Sequence, residues 1–283
     1  MPFRSCGRSL MKITCLVDNA VKPSSPYWGE HGLSFLIDSG DQRILLDTGA
    51  SGTVLLHNLH LVEVSPASLA ALALSHGHSD HTGGLAALLE QRPGLAIYAH
   101  PGVLRERFSR RGDSLRSIGL PMEVSLLRER ATLHLSKDPQ EVIPGVWTSG
   151  EIAERPEPEG RGEGHLIREG DSWRPDPYED DMALILHGTE GLVLLCGCCH
   201  AGLLNTIAHV RAAFGEYPRM IVGGTHLVAA DQQHLRHVVE RLQRMGVPKL
   251  YPNHCTGQAA YVSLAVALGD RVSPFPVGST LTV

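Results

Sequence analysis

The sequence predicts an α/β (α+β) protein of two packed sheets with helices on the outer faces, and three observations lead there. Each half of the chain begins rich in strands and then alternates strand with helix. The histidine-bearing segments fall directly after apolar strands, which gathers them at one edge of the sheets. A chain of 283 residues with 42% hydrophobic content can bury a large core, and no repeat or domain linker interrupts residues 11–283.

Residues 11–18 read as a strand ending in Asp18-Asn19. The loop 20–31 carries Tyr27, Trp28, Glu30 and His31, an aromatic and ionisable group that suits either a packed surface loop or the rim of a site. Leu33–Ile37 and Arg43–Leu46 form a hairpin across Asp38–Gln42, and a helix follows Asp47-Thr48-Gly49. The apolar run Leu69–Leu74 is a buried strand, a helix starts near Thr82, and Leu95–His100 is a further strand. Residues 101–180 differ in kind, being rich in Arg, Glu, Gly and Pro. Apolar pieces at 123–127 and 142–148 read there as strands, and Glu151–Asp176 as a long mobile loop. His100, His134 and His165, which lie in this part, read as non-ligands. Order returns with the hairpin Met182–His187 and Gly191–Cys196. A helix through Leu203, Leu204, Ile207 and Val210 comes next, then a strand Met220–Leu227 and helices over 231–246 and 258–268.

Composition excludes several classes. A net charge of −5 argues against nucleic acid as a partner. No apolar run approaches the roughly 18 residues needed to cross a bilayer, so no membrane partner is expected. Residues 1–10 lack the apolar segment of a secretory signal and read as a disordered extension. Six cysteines without framework spacing point to a reducing, cytoplasmic setting. Oligomeric state is not readable from the sequence.

The chemistry centres on Ser75-His76-Gly77-His78-Ser79-Asp80-His81-Thr82-Gly83-Gly84. His76, His78, Asp80 and His81 stand within six residues at a strand end, and imidazole with carboxylate is a donor set for zinc, iron or manganese. The helix N-terminus behind them favours anions nearby. Asp47, at the end of its own strand, suits either a local turn or a carboxylate that orients a ligating imidazole.

His-x-His-x-Asp-His after an apolar strand resembles the signature of the metallo-β-lactamase superfamily. The resemblance implies a four-layer αββα sandwich over residues 11–283, with a substrate-cap insertion within 101–180. It also implies two divalent metal ions, with His76 and His78 on the first and Asp80 and His81 on the second. His254, in Pro252-Asn253-His254, matches the last ligand of the second ion. Where many members carry a further histidine, this chain has Glu179-Asp180-Asp181, and where they carry a bridging aspartate it has Gly197-Cys198. His200 then takes the third place on the first ion. Cys198 is either a thiolate ligand or a small buried residue.

The segments Glu30–Ser34, Gly197–Gly202, Gly223–Leu227 and Pro252–Gly257 are similar to a subgroup that includes an archaeal synthase. That enzyme joins a dihydropterin-methyl diphosphate to a ribofuranosyl-aminobenzene phosphate. Two activities are therefore expected in turn. One is a metallo-hydrolase that uses a metal-bound hydroxide on a phosphate- or diphosphate-containing small molecule, with Asp80 positioning it and His226 or Glu30 assisting the leaving group. The other is a pterin-methyl transferase that releases pyrophosphate. Zinc suits the hydrolase, with iron or manganese as alternatives, and magnesium suits the synthase.

Overall fold

The computed structural model describes residues 10–283. The extension expected over 1–10 lies, apart from the exposed Leu10, outside the described residues. The first half runs β1 (Lys12–Val17), β2 (Ser34–Asp38), β3 (Arg43–Leu46), α1 (Gly52–Leu61), β4 (Ala71–Ala73), α2 (Ser79–Thr82), α3 (Leu85–Gln91) and β5 (Leu95–Ala99). Then come β6 (Arg107–Arg111), β7 (Ser114–Ser117), α4 (Val124–Arg130), β8 (Ala131–Leu135), β9 (Glu141–Ile143), β10 (Val146–Thr148), β11 (His165–Glu169) and β12 (Ser172–Pro175). The chain ends with β13 (Ala183–Gly188), β14 (Gly191–Cys196), α5 (Leu203–Phe214), β15 (Met220–Gly224), α6 (Gln232–Arg244), β16 (Lys249–Asn253), α7 (Gln258–Leu268) and β17 (Thr280–Thr282).

Two sheets carry the fold, ordered β17-β1-β2-β3-β4-β5-β8 and β16-β15-β14-β13-β10-β9. Their strands alternate in the period-2 manner that lets both faces be covered. In β2 and β3, Phe35, Ile37, Ile44 and Leu46 face Leu184, Leu186, Val193 and Leu195 of β13 and β14, closing the central core between the sheets. Leu36 and Leu45 point the other way, onto Leu55, Leu59, Leu85 and Leu88 of α1 and α3. Ile185 and Leu194 do the same in the second sheet, meeting Ile207, Val238 and Leu264 of α5, α6 and α7. The layers are therefore helix, sheet, sheet, helix. Each fully buried Leu, Ile or Phe contributes roughly 1.5–3 kcal/mol by leaving water.

The strands β3, β4, β5 and β8 run parallel, as do β14, β15 and β16. Parallel strands deliver their C-terminal ends to one edge, where open α/β sheets hold their ligands. Asp47, the histidine motif, Cys198, His200, His226 and His254 all follow such ends.

Residues 101–180 depart from expectation in two places. The stretch 123–127 is the start of helix α4, not a strand, and it seats Leu127 on the outer face of the first sheet. A five-residue apolar run has no readable period of its own, so its packing partner decides. Residues 151–176 are not wholly loop. Their second half forms the β11–β12 hairpin, which pairs with β6 and β7 in a small sheet ordered β12-β11-β6-β7. The ordering comes from pairing with residues 107–117, a long-range partner. Arg107 anchors this sheet from within: its buried guanidinium donates to Asp180 and, at 2.8 Å, to Asp176. The stretch 142–148 is strand, as β9 and β10.

The helix after the histidine motif starts earlier than Thr82. α2 begins at Ser79, breaks at Gly83-Gly84, and α3 resumes at Leu85. No helix among the described residues is long and apolar enough to cross a membrane.

Candidate metal centre

Two groups of side chains converge at the strand edge, and Cys198 belongs to both. His76, Cys198 and His200 bring their ligating atoms within 4.8 Å of one another, as do His81, Cys198 and His254. All five residues are buried. His78 joins the first group, its Nδ1 lying 3.1 Å from His76 Nε2. Asp80 borders the second, with Oδ2 3.5 Å from His254 Nε2 and 3.7 Å from His81 Nε2. Either group offers the donors of a metal site.

Hydrogen bonds behind the rings decide which nitrogens are left facing inward. Asp47 accepts from His81 Nδ1 at 2.7 Å, and a carboxylate can only accept, so His81 keeps its Nδ1 proton and turns Nε2 inward. The same carboxylate takes the Ser75 backbone N–H at 2.7 Å and the Ser75 hydroxyl at 2.6 Å. Ser75 Oγ, its proton given to Asp47, accepts from His76 Nδ1 at 2.9 Å and frees His76 Nε2. His254 Nδ1 donates to Asn19 Oδ1 at 2.9 Å, and His200 Nδ1 donates to the Gly160 carbonyl at 2.7 Å. His200 Nε2 and His78 Nε2 then have no partner among the described residues. Buried nitrogens left without partners cost free energy unless something binds them.

The loops approach closely enough to need glycine. A Cβ on Gly197 would collide with the Ser75 hydroxyl, which is how β14 delivers Cys198 against the motif loop. Cys198 Sγ lies 3.2 Å from His81 Nε2. Left-handed backbone also occurs at the ligand-group residue His254, at φ 47°, and at the neighbouring His226, at φ 47°. Such strain at non-glycine residues gathers at functional sites.

Electrostatics agree with a cluster built to lose protons. Burial, then the neighbouring histidines, pushes His76 and His200 well below the ordinary range. His78 falls well below it too, chiefly through burial. His254 and His226 are brought down to about 4, mainly by burial. Burial alone would raise Asp80, but His81 and His254 outweigh it and hold the carboxyl well below its usual range. His81 is the exception. Burial lowers it, yet the carboxylates of Asp80 and Asp47 carry it to about 9. Cys198 is pushed up by burial and by the neighbouring Cys255 thiol.

Glu30 stands at the start of α1. Its Oε1 accepts from the backbone N–H groups of Ala50 and Ser51 at 2.9 and 2.8 Å, and its Oε2 takes the Ser51 hydroxyl at 2.7 Å. Ser51 in turn caps α1 by accepting from Val54 N–H. Both carboxylate oxygens are thus engaged at a helix start. His226 lies in neither ligand group but brings its ring within 4.3 Å of the His200 ring.

Sequence reasoning passed over several residues here. Tyr178 stacks on His200 at 4.2 Å, and its hydroxyl meets His165 Nδ1 at 2.8 Å. His165, read as a non-ligand, sits 5.3 Å from the His78 ring at the edge of the centre. His31 places Nε2 3.4 Å from Asp80 Oδ2. The acidic stretch standing where a histidine was expected supports the loops: Asp180 holds Gly77 N–H and Asp181 holds Ala201 N–H, each at 2.8 Å. Only His31 carried a signal, its place in the ionisable group 27–31.

Comparison with known proteins agrees with the architecture. The sequence is 29% identical over 258 residues to the 7,8-dihydropterin-6-methyl-4-(beta-D-ribofuranosyl)-aminobenzene-5'-phosphate synthase of Methanocaldococcus jannaschii, covering 87% of this chain and 88% of that protein. The fold is similar to the crystal structure of Tm1679, a metal-dependent hydrolase of the beta-lactamase superfamily. There the TM-score is 0.83 and the identity 26%, over 96% of this chain and 99% of the other. The metallo-beta-lactamase fold protein YhfI from Bacillus subtilis shares the fold at a TM-score of 0.60 and 15% identity, over 98% and 100% of the two chains. The family model of the metallo-beta-lactamase superfamily matches residues 27–198, well over half of the chain, and with it the histidine motif. The chain belongs to the metallo-beta-lactamase superfamily.

Proposed function

We propose that this protein is a metal-dependent hydrolase acting on a phosphate- or diphosphate-containing small molecule. The observation that carries the reading is the convergence of inward-facing ring nitrogens on Cys198 from two sides, each ring held through its other nitrogen. A bound cation would satisfy the buried nitrogens of His78 and His200 that have no other partner among the described residues. In this reading His76, His78, His200 and Cys198 hold one divalent ion, and Asp80, His81, His254 and Cys198 hold the second. A thiolate among imidazoles suits zinc best, with iron and manganese next. Divalent ions held by these residues would supply Lewis-acid chemistry for the attack of water on a phosphoryl or ester group.

The remaining residues have roles of their own. Asp47, Ser75, Asn19 and the Gly160 carbonyl hold the ligand rings in one tautomer. Tyr178 covers one face of His200 and keeps bulk water from it. His226, whose low pKa leaves it neutral at pH 7, contacts the substrate from beside His200. The small sheet of β6, β7, β11 and β12 serves as the substrate cap, since His165 reaches the centre from it. The free thiols at the five described cysteines support a cytoplasmic setting.

A second reading is a synthase that couples a pterin-methyl diphosphate to an arylamine with loss of pyrophosphate. The identity over 87% of the chain to the archaeal synthase supports it. The metal-loaded protein would be given the pterin-methyl diphosphate with and without the arylamine, and products identified by mass spectrometry. Alcohol and pyrophosphate irrespective of the amine support the hydrolase. Coupled product only when the amine is present supports the synthase. Loss of neither substrate would sink both.

A further inference from the structure

One face of the small sheet changes character along its length. Cross-strand partners point to the same side, so the β-pairing puts Arg107, Ser109 and Arg111 of β6, Ser114 and Arg116 of β7, and His165 of β11 on one face. At one end Arg107 is buried and neutralised by Asp176 and Asp180, beside the motif residue Gly77. In the middle, Ser109 stands opposite His165, whose ring reaches the His78 ring at 5.3 Å. Arg111 at the far end, and Arg116 of β7 opposite Ser109, form no ion pair with any described carboxylate. They line a cavity of about 210 Å³ together with Ser109 and Ser114.

Two unpaired guanidinium groups and two hydroxyls around one cavity are the recognition chemistry of a phosphate. Arginine's fork of N–H donors matches phosphate oxygens, and serine hydroxyls supply neutral donors between them. The distance also suits a small molecule. Adjacent strands lie about 4.8 Å apart, and Arg111 stands one strand and Arg116 two strands from His165.

We propose that the cavity of Ser109, Arg111, Ser114 and Arg116 is a subsite for a second, non-reacting phosphate of the substrate. The inference rests on the metal-centre reading above, which places the reacting group at the histidine cluster. The substrate is then a doubly anionic molecule. One end is a phosphate or diphosphate ester at the metals, and the other is a phosphomonoester held by the two arginines. Differential grip on the remote phosphate would orient the reacting end.

The test is calorimetric titration of the metal-loaded protein with hexyl phosphate and with hexane-1,6-diyl bisphosphate, in the wild type and in an Arg111→Ala/Arg116→Ala variant. The bisphosphate is expected to bind the wild type about tenfold or more tightly than the monophosphate. The double variant should lose that advantage and keep its monophosphate affinity. The advantage in the wild type should also shrink with added salt, because both arginines are exposed. Equal affinities in the wild type, or an advantage that survives in the variant, would overturn the subsite. Hexyl phosphate binding that persists when the metal is removed and is lost in the variant counts against the metal-centre reading and leaves the subsite standing. Binding of neither ligand overturns both.

Discussion

The Nε2 atoms of His81 and His254 lie 3.2 Å apart at the meeting of the two sheets, each with its Nδ1 proton already committed, to Asp47 and to Asn19. Two lone pairs so placed repel unless a proton or a metal ion lies between them. In the metal-free protein the proton takes that place, as the raised His81 pKa of about 9 requires. The same geometry receives a metal once the proton leaves.

Metal uptake should therefore depend on pH. An ion must displace the His81 proton, so its affinity should fall as pH drops below about 9, by about tenfold per unit for one competing proton. Stability of the metal-free protein runs the other way. The folded value is raised above the ordinary 6.5, so His81's contribution is complete below pH 6.5 and is lost as pH rises through about 9. Urea midpoints of chelated protein at about pH 6 and about pH 9.5 check the sign, and a midpoint that rises over that interval would refute it.

Cys198 belongs to both candidate ligand groups, so under the two-ion reading its loss should weaken both ions together. Cys198→Ala is expected to lower the affinity of each by about 10–100-fold, while the far-UV circular dichroism stays that of the wild type. Cobalt substitution supplies a direct readout, because a ligating thiolate gives a charge-transfer absorption that the variant would lack. Unchanged affinities with no such band in the wild type would remove Cys198 from the ligand set.

Asp47→Asn keeps the size of the side chain but lets it present an N–H to His81 in place of an acceptor. Loss of the orienting carboxylate should cost about 10–100-fold in metal affinity, confined mainly to the ion held by His81 and His254. The variant's stability should also fall, by about 1–3 kcal/mol, through the buried Ser75 donors it serves. Metal titration and urea denaturation separate the two effects. Wild-type metal affinity in this variant would show that Asp47 supports only the fold.

Glu30→Gln should behave as a change to a helix start. With one oxygen of the pair replaced by an amide, stability should drop by about 1–2 kcal/mol. Turnover per folded, metal-loaded molecule should stay within about twofold of the wild type. A large loss of kcat at unchanged stability would return Glu30 to the chemistry.

Much of this was legible from local pattern. His76, His78, Asp80 and His81 lie within one loop, and their spacing alone brings them together once β4 and α2 form. The alternation in Leu33–Leu46 and Leu184–Leu195 announced strands with two covered faces, since side chains in a strand must alternate. Asp47, too, stands where a strand-end carboxylate can reach a histidine ring, and it does so at 2.7 Å.

Other features were decided only by the tertiary structure. The β11–β12 hairpin has too little apolar surface to order alone, and it forms because residues 107–117 supply its other edge. Helix α4 owes its form to the sheet beneath Leu127. Tyr178, Asn19, the Gly160 carbonyl and Glu30 acquire their tasks from partners 20 or more residues away. Spacing along the chain determines which donors share a loop. Which proton each donor keeps is set by whatever folds against it from elsewhere, and that is invisible until the two sheets close.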